Sequence, residues 1–297
     1  MIKFSISRRM MGVIVAVLAV TSLVVQSVGV QAIQGESIVM SPTSKPYKLD
    51  AGQVRSDNFT IINDGTSHYT FKVYAVPYSI KNSRYEADLE TKAPNADAYQ
   101  WVKFEQNRYE LNPGEKVIVP YTITVPSDAA PGGHYGVIFA ETEVDPNQTA
   151  QIGRQKRVGT IIYATVDGDY IQAGREVETI VDAVQIGYPL RGRMTVENTG
   201  NADFVMKSTL RINNIFGNNM YNKTTEYVLL PKTTRDIPLT WENGPWLGWY
   251  NVQTESEILG KKVSHDKLVF IAPLWFLLVT TLVLLAIFYM IYRHFRR

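Results

Sequence analysis

Chemistry in this chain of 297 residues must come from few residue types, because there is no cysteine and only four histidines: His68, His134, His265 and His294. Without cysteine there is no thiolate nucleophile, no disulfide framework and no Cys-ligated zinc. No two histidines share a metal-ligand spacing such as H-x-x-x-H, and no G-x-S-x-G elbow, H-E-x-x-H or phosphate loop occurs. Carboxylates are plentiful, as a glycosidase pair requires. Yet Glu141, Glu143 and Asp145 alternate with Ile138, Ala140, Thr142 and Val144, the pattern of a strand's solvated face. Asp167-Gly168-Asp169 offers oxygens for Ca²⁺ at a domain junction, but two carboxylates are too few alone, and the segment reads as an acidic turn. Three Asn-x-Thr triplets, at Asn58, Asn147 and Asn222, read as ordinary strand and turn residues. The expectation is a non-enzymatic protein with no cofactor and no metal.

Recognition residues are better represented. Trp241, Trp246, Trp249 and Tyr250 fall within ten residues around Glu242-Asn243-Gly244-Pro245. Flat rings stack on sugars or anchor protein interfaces. The competing reading puts Trp241 and Tyr250 in a core and Trp246 at a membrane surface. Nearer the N-terminus, Tyr78 to Gln100 is a long polar connection, and connections of this length often carry function. Tyr78, Tyr85 and Tyr99, with Trp246 and Trp249, are the candidate partner-binding residues.

The elements that must position them begin at the chain ends. Lys3, Arg8 and Arg9 precede an uncharged stretch, Met10 to Val25, and then Val30-Gln31-Ala32. Residues 1–32 therefore read as a secretory signal; an uncleaved N-terminal anchor is the alternative. Val269 to Tyr292 is a second uncharged run of 24 residues, followed by Arg293-His294-Phe295-Arg296-Arg297. At about 1.5 Å per residue such a helix crosses a bilayer core of about 30 Å. Basic residues stay on the cytoplasmic side. The expected plan is signal 1–32, an external region, a span at 269–292 and a cytoplasmic tail at 293–297. The tail is too short for an internal domain. Setting aside the six basic residues of the two ends leaves 24 basic against 28 acidic residues, which argues against nucleic acid as a partner.

Between the ends, runs rich in Val, Ile, Thr, Tyr and Phe alternate with turn residues. They include Asn58–Ile62, His68–Val76, Lys116–Val125, Gly136–Val144 and Gly159–Val166. An internal repeat organises them. Tyr109-x-Leu111-x-Pro113 recurs as Tyr227-x-Leu229-x-Pro231, and Pro120-Tyr121-Thr122 as Pro238-Leu239-Thr240, both at an offset of 118. Phe59–Gly65 (FTIINDG) resembles Met194–Gly200 (MTVENTG), and Gly133–Val137 resembles Gly248–Val252. Four segments repeated in one order imply duplicated units. The reading is all-β: two tandem immunoglobulin-like or fibronectin-III-like β-sandwiches, 36–172 and 173–268, plus one C-terminal transmembrane helix. The Asn-Asp/Thr-Gly segments predict hairpins. Val117, Val119, Tyr121, Ile123 and Val125 predict one buried strand face. Tyr135 and Tyr250 predict tyrosines that pin sandwich corners.

The first unit resembles the peptidoglycan-binding domain of WxL-interacting surface proteins. SPTSKPYKLDAGQ, FTIINDG, VYAVPYSI, WVKFEQNRYELNPGEKVIVPYTITVP, PGGHYGVIFAE and RVGTIIYATVDG carry the resemblance over most of residues 41–168. It implies a cell-surface scaffold or adhesion protein, single-pass and wall-facing, that binds peptidoglycan, WxL-type surface partners or both. An envelope assembly factor holding exported subunits by sheet-edge pairing is the alternative.

Overall fold

The computed structural model describes residues 37–143, 155–187, 189–242 and 247–296; the predicted signal, Asp145, Asn147 and Trp246 lie outside them. The first unit contains β1 (Ile38–Ser41), β2 (Ser44–Leu49), β3 (Val54–Asn63), β4 (Tyr69–Pro77), β5 (Ser79–Ile80) and β6 (Ala87–Asp88). The one-turn helix α1 (Ala98–Trp101) follows, then β7 (Val102–Phe104), β8 (Arg108–Leu111), β9 (Lys116–Thr124), β10 (Gly132–Thr142) and β11 (Arg157–Val166). Its facing sheets run β1-β3-β9-β7 and β2-β11-β10-β4-β8, while β5 and β6 form a small separate ribbon. The second unit contains β12 (Gly174–Val181), β13 (Val184–Ile186), β14 (Leu190–Asn198), β15 (Phe204–Asn214), β16 (Asn219–Leu229), β17 (Thr234–Trp241), β18 (Gly248–Ile258) and β19 (Lys261–Ala272). Its sheets run β12-β14-β17 and β13-β19-β18-β15-β16.

In each unit the first strand is split between the sheets. Its second half lies parallel on the last strand, β2 on β11 and β13 on β19. The main sheet pairs are otherwise antiparallel. The chain is thus all-β, two tandem immunoglobulin-like sandwiches followed by one apolar helix, α2 (Leu274–Phe295).

Alternation builds both cores. Along β9 the inward residues Val119, Tyr121 and Ile123 are buried, joined by Val125 just beyond it. They pack with Phe59 and Ile61 of β3 and with Phe71 of β4. The second core holds Met194, Met206, Ile237, Trp241, Tyr250 and Val252.

The duplication extends to single atoms. Buried Asn63 donates from Nδ2 to the carbonyls of Ser67 and Leu111, and its Oδ1 accepts the amide of Gly65. Buried Asn198 does the same with Ala202, Leu229 and Gly200. These asparagines do not close hairpins, as the sequence suggested. β3 and β14 each end at the asparagine, and the chain crosses to the facing sheet. The turn is an Asx turn that satisfies buried carbonyls.

The apolar run at the C-terminus also divides differently. Val269, Ile271 and Ala272 complete β19 and are buried in the second core. Pro273 then separates strand from helix. An apolar stretch that passes from a core strand into an apolar helix has no compositional mark where one ends.

Candidate partner-binding surfaces

The long connection folds back onto the second sandwich. Tyr78 and Tyr85 therefore stand in the joint between sandwiches. Tyr78 is buried, edge-on to Tyr163. Tyr85 adopts φ +65°, uncommon for a residue with a Cβ. Its hydroxyl accepts the Leu230 amide at 2.6 Å and lies 3.0 Å from Thr233 Oγ1. The guanidinium of Arg235 stacks 4.0 Å from the Tyr85 ring centre and 4.8 Å from that of Tyr227. Ser83 reinforces this. Its hydroxyl donates to Asp236 Oδ2 and its carbonyl accepts the Asp236 amide, both at 2.7 Å. Tyr99 lies half-buried in α1, against β10. Trp249 is exposed at the far end of the second sandwich, and Trp241 and Tyr250 are core residues. The four described candidates are therefore not one site.

The joint gives Tyr135 a different role from the corner tyrosine the sequence suggested, and adds residues such as Leu230 and Asp203. Tyr135, Val137 and Leu230 form a shared apolar cluster with Tyr78. The Tyr135 hydroxyl donates to Asp203 Oδ1 at 2.9 Å, so it ties one sandwich to the other rather than pinning a corner of its own. Burial raises the pKa of Tyr135, with the Asp203 charge adding to it, and burial raises that of Asp203. The Gly133 amide donates to the Asn201 carbonyl at 2.9 Å. Gly132 is required beside it: φ is +122°, and a Cβ would fall 2.7 Å from that same carbonyl oxygen.

His134 braces the loop behind this joint. Nδ1 lies 2.7 Å from Asp97 Oδ1 and Nε2 lies 2.8 Å from the Ala130 carbonyl. Both partners are acceptors, so the ring satisfies both only as imidazolium. Burial pulls its pKa down, but the bonds to Asp97 and Ala130 outweigh this and hold it above the usual histidine value. Trp101 packs over the ring with centres 4.7 Å apart. Beside His134 the two sandwiches leave a cleft of about 540 Å³ walled by Ile80, Pro94, Pro131, Leu230 and Pro231. Its walls are mostly apolar, with Ser79, Asn95, Asn201, Lys232 and Thr233 among them, and both nitrogens of its histidine are engaged. It can seat an apolar group but offers no nucleophile–base pair. Among the described residues no cluster of three His, Asp or Glu could hold a metal ion.

A second surface follows from comparing the twins strand by strand. In the first sandwich β7 lies outside β9, pairing Val102–Phe104 with Tyr121–Ile123. The counterpart of β9 is β17, and among the described residues no strand pairs outside it; Leu230–Thr233 connects β16 to β17. The sheet therefore stops one strand short. Between β16 and β17 runs a groove of about 320 Å³, lined by Leu210, Tyr221, Lys223, Tyr227, Leu239 and Glu242. Edge amides and carbonyls of Leu239–Trp241 lie where β7 pairs in the twin, while Pro238 has no N–H to offer.

No family model and no curated protein matches the chain. Among solved structures it is similar to the class 5 fimbriae chaperone CfaA, at 13% identity and a TM-score of 0.40, covering 78% of this chain and 99% of that one. It is similar also to the E. coli chaperone DraB, at 11% and 0.40, covering 79% and 95%. A third is the Pseudomonas aeruginosa CupB2 chaperone, at 10% and 0.39, covering 78% and 100%. Likeness at these values carries no argument about what this chain binds.

Proposed function

We propose that this chain is a non-enzymatic, membrane-anchored protein that holds a protein partner by strand addition. Helix α2 anchors it, and Arg293, Arg296 and Arg297 keep the C-terminus cytoplasmic, leaving both sandwiches outside. The observation that carries the reading is the unfilled strand position outside β17. An extended partner segment would pair with Leu239–Trp241 and place alternate apolar side chains in the groove, as Phe104 stands near Tyr121 in the twin. Main-chain pairing supplies affinity and the groove supplies selectivity. This is the assembly-factor class. Peptidoglycan and WxL-type proteins, implied by the resemblance of the first unit, are the competing partners.

Amide hydrogen exchange of the protein, alone, with purified peptidoglycan and with the exported proteins of its own cell, tests this. A protein partner should slow exchange in Leu239–Trp241 and leave the joint unchanged. Binding that leaves those amides unprotected removes the strand-addition reading. Retention by bare peptidoglycan with protection confined to the first sandwich supports the wall-binding reading instead.

A further inference from the structure

Strand register sets the height of each loop above the bilayer. Asn214 of β15 stands opposite Tyr250 of β18, and Tyr250 stands opposite Val269 of β19. Three residues further along β19 is Ala272, and Leu274 opens α2. At about 3.3 Å per residue, Ala272 lies about 10 Å beyond the Asn214 level. The β15–β16 turn, Ile215–Asn218, projects about two residues beyond the same level and toward the same end. The backbone of the tip, about 7 Å beyond that level, therefore lies about 3 Å short of Ala272, which stands two residues before α2. The polar layer on each face of a bilayer is about 5–7 Å thick.

That end of the sandwich is unusually apolar. Phe216 is 81% exposed and Ile215 63%. Ile186, at the end of β13 opposite Ala272, is 64% exposed. Trp249, opposite Phe270, and Trp275 in the first turn of α2 are each 48% exposed. Three separate strand ends thus present apolar groups around the root of one helix. Tryptophans are enriched at that depth.

The turn is also built to lose water. Asn214 Oδ1 accepts the amides of Phe216 and Asn218, both at 3.0 Å. The Gly217 amide bonds to the Asn214 carbonyl and the Asn214 amide to that of Asn218, both at 2.9 Å. With the amides of Phe216, Gly217 and Asn218 closed on Asn214, these three donors can enter a poorly hydrated layer already paired. The flanking Asn213, Asn218 and Asn219 supply polar groups at headgroup height.

We infer that this end of the second sandwich is a second membrane contact, with Ile215 and Phe216 inserted in the lipid interface beside α2. The inference rests on the anchored reading above. It makes the hairpin a second foot, fixing how the sandwich leans on the bilayer.

The chain has no native cysteine, so single labels are straightforward. Phe216→Cys, Leu284→Cys in mid-helix and Leu259→Cys at the opposite hairpin tip would each carry an environment-sensitive fluorophore. The full chain would be placed in phosphatidylcholine–phosphatidylglycerol vesicles containing lipids spin-labelled at shallow or deep positions. The expected result is a blue shift and loss of emission at 216 with shallow labels, loss at 284 with deep labels, and no change at 259. Loss at 284 alone overturns the hairpin contact while the anchor stands. No loss at any position overturns the anchored reading itself. A blue shift at 216 without lipid quenching means that a second copy covers the tip, which also overturns the inference.

Discussion

Tyr85 shows how much of the joint rests on single atoms. Its hydroxyl is the acceptor for the Leu230 amide, and Leu230 is buried. Tyr85→Phe keeps the ring under Arg235 but removes that acceptor, and an orphaned buried donor costs about 1–3 kcal/mol. The urea midpoint should fall, and protease cleavage between the sandwiches should speed up; an unchanged midpoint would show that the amide finds another partner. His134 makes a prediction with a sign. Its folded pKa is raised, so the bonds to Asp97 and Ala130 stabilise fully below its unfolded pKa, about 6.5. That contribution is lost as pH rises through the higher folded value. The stability gap between the native chain and His134→Gln should therefore be widest near pH 5.5 and shrink toward pH 8.5. A gap that widens with pH would mean that the ring is neutral in the fold.

At the scale of elements, α1 is held by what β10 lacks. A Cβ on Gly136 would fall 2.7 Å from the Tyr99 backbone nitrogen. Gly136→Ala should displace α1 and cost about 1–3 kcal/mol, read as a lower melting temperature and a changed Trp101 emission. Elements like β9, with strict alternation, were legible in the sequence, and the repeat located both buried asparagines before their bonds were visible. Three things were not legible. The Asn-Asp-Gly segment has the composition of a hairpin, yet its strands lie in different sheets, because the asparagine serves a carbonyl 48 residues away. The connection from Tyr78 is polar and irregular by composition, yet its partners lie 145 to 153 positions further on. No local pattern reports such pairings. The unfilled place outside β17 became visible only when the twins were aligned strand by strand.

For the whole molecule, the cluster around Tyr78, Tyr135 and Leu230 is shared between the two sandwiches. The full chain in detergent should unfold in a single calorimetric transition, and Tyr85→Phe combined with Tyr135→Phe should split it in two. Two transitions in the native chain would show that the joint is weaker than either core. The junction at the other end has a mechanical consequence. β19 pairs with β18 over eleven residues and passes into α2 with only Pro273 between. On the anchored reading, tension applied at β17 by a held partner would reach the membrane through β19, along that strand's own axis. The hydrogen bonds to β18 lie across that axis, so the pull shears all of them together instead of parting them one by one. The last strand thus acts as a cable clamped along its length, and the sandwich nearest the membrane resists a pull that would unzip a strand loaded from its end.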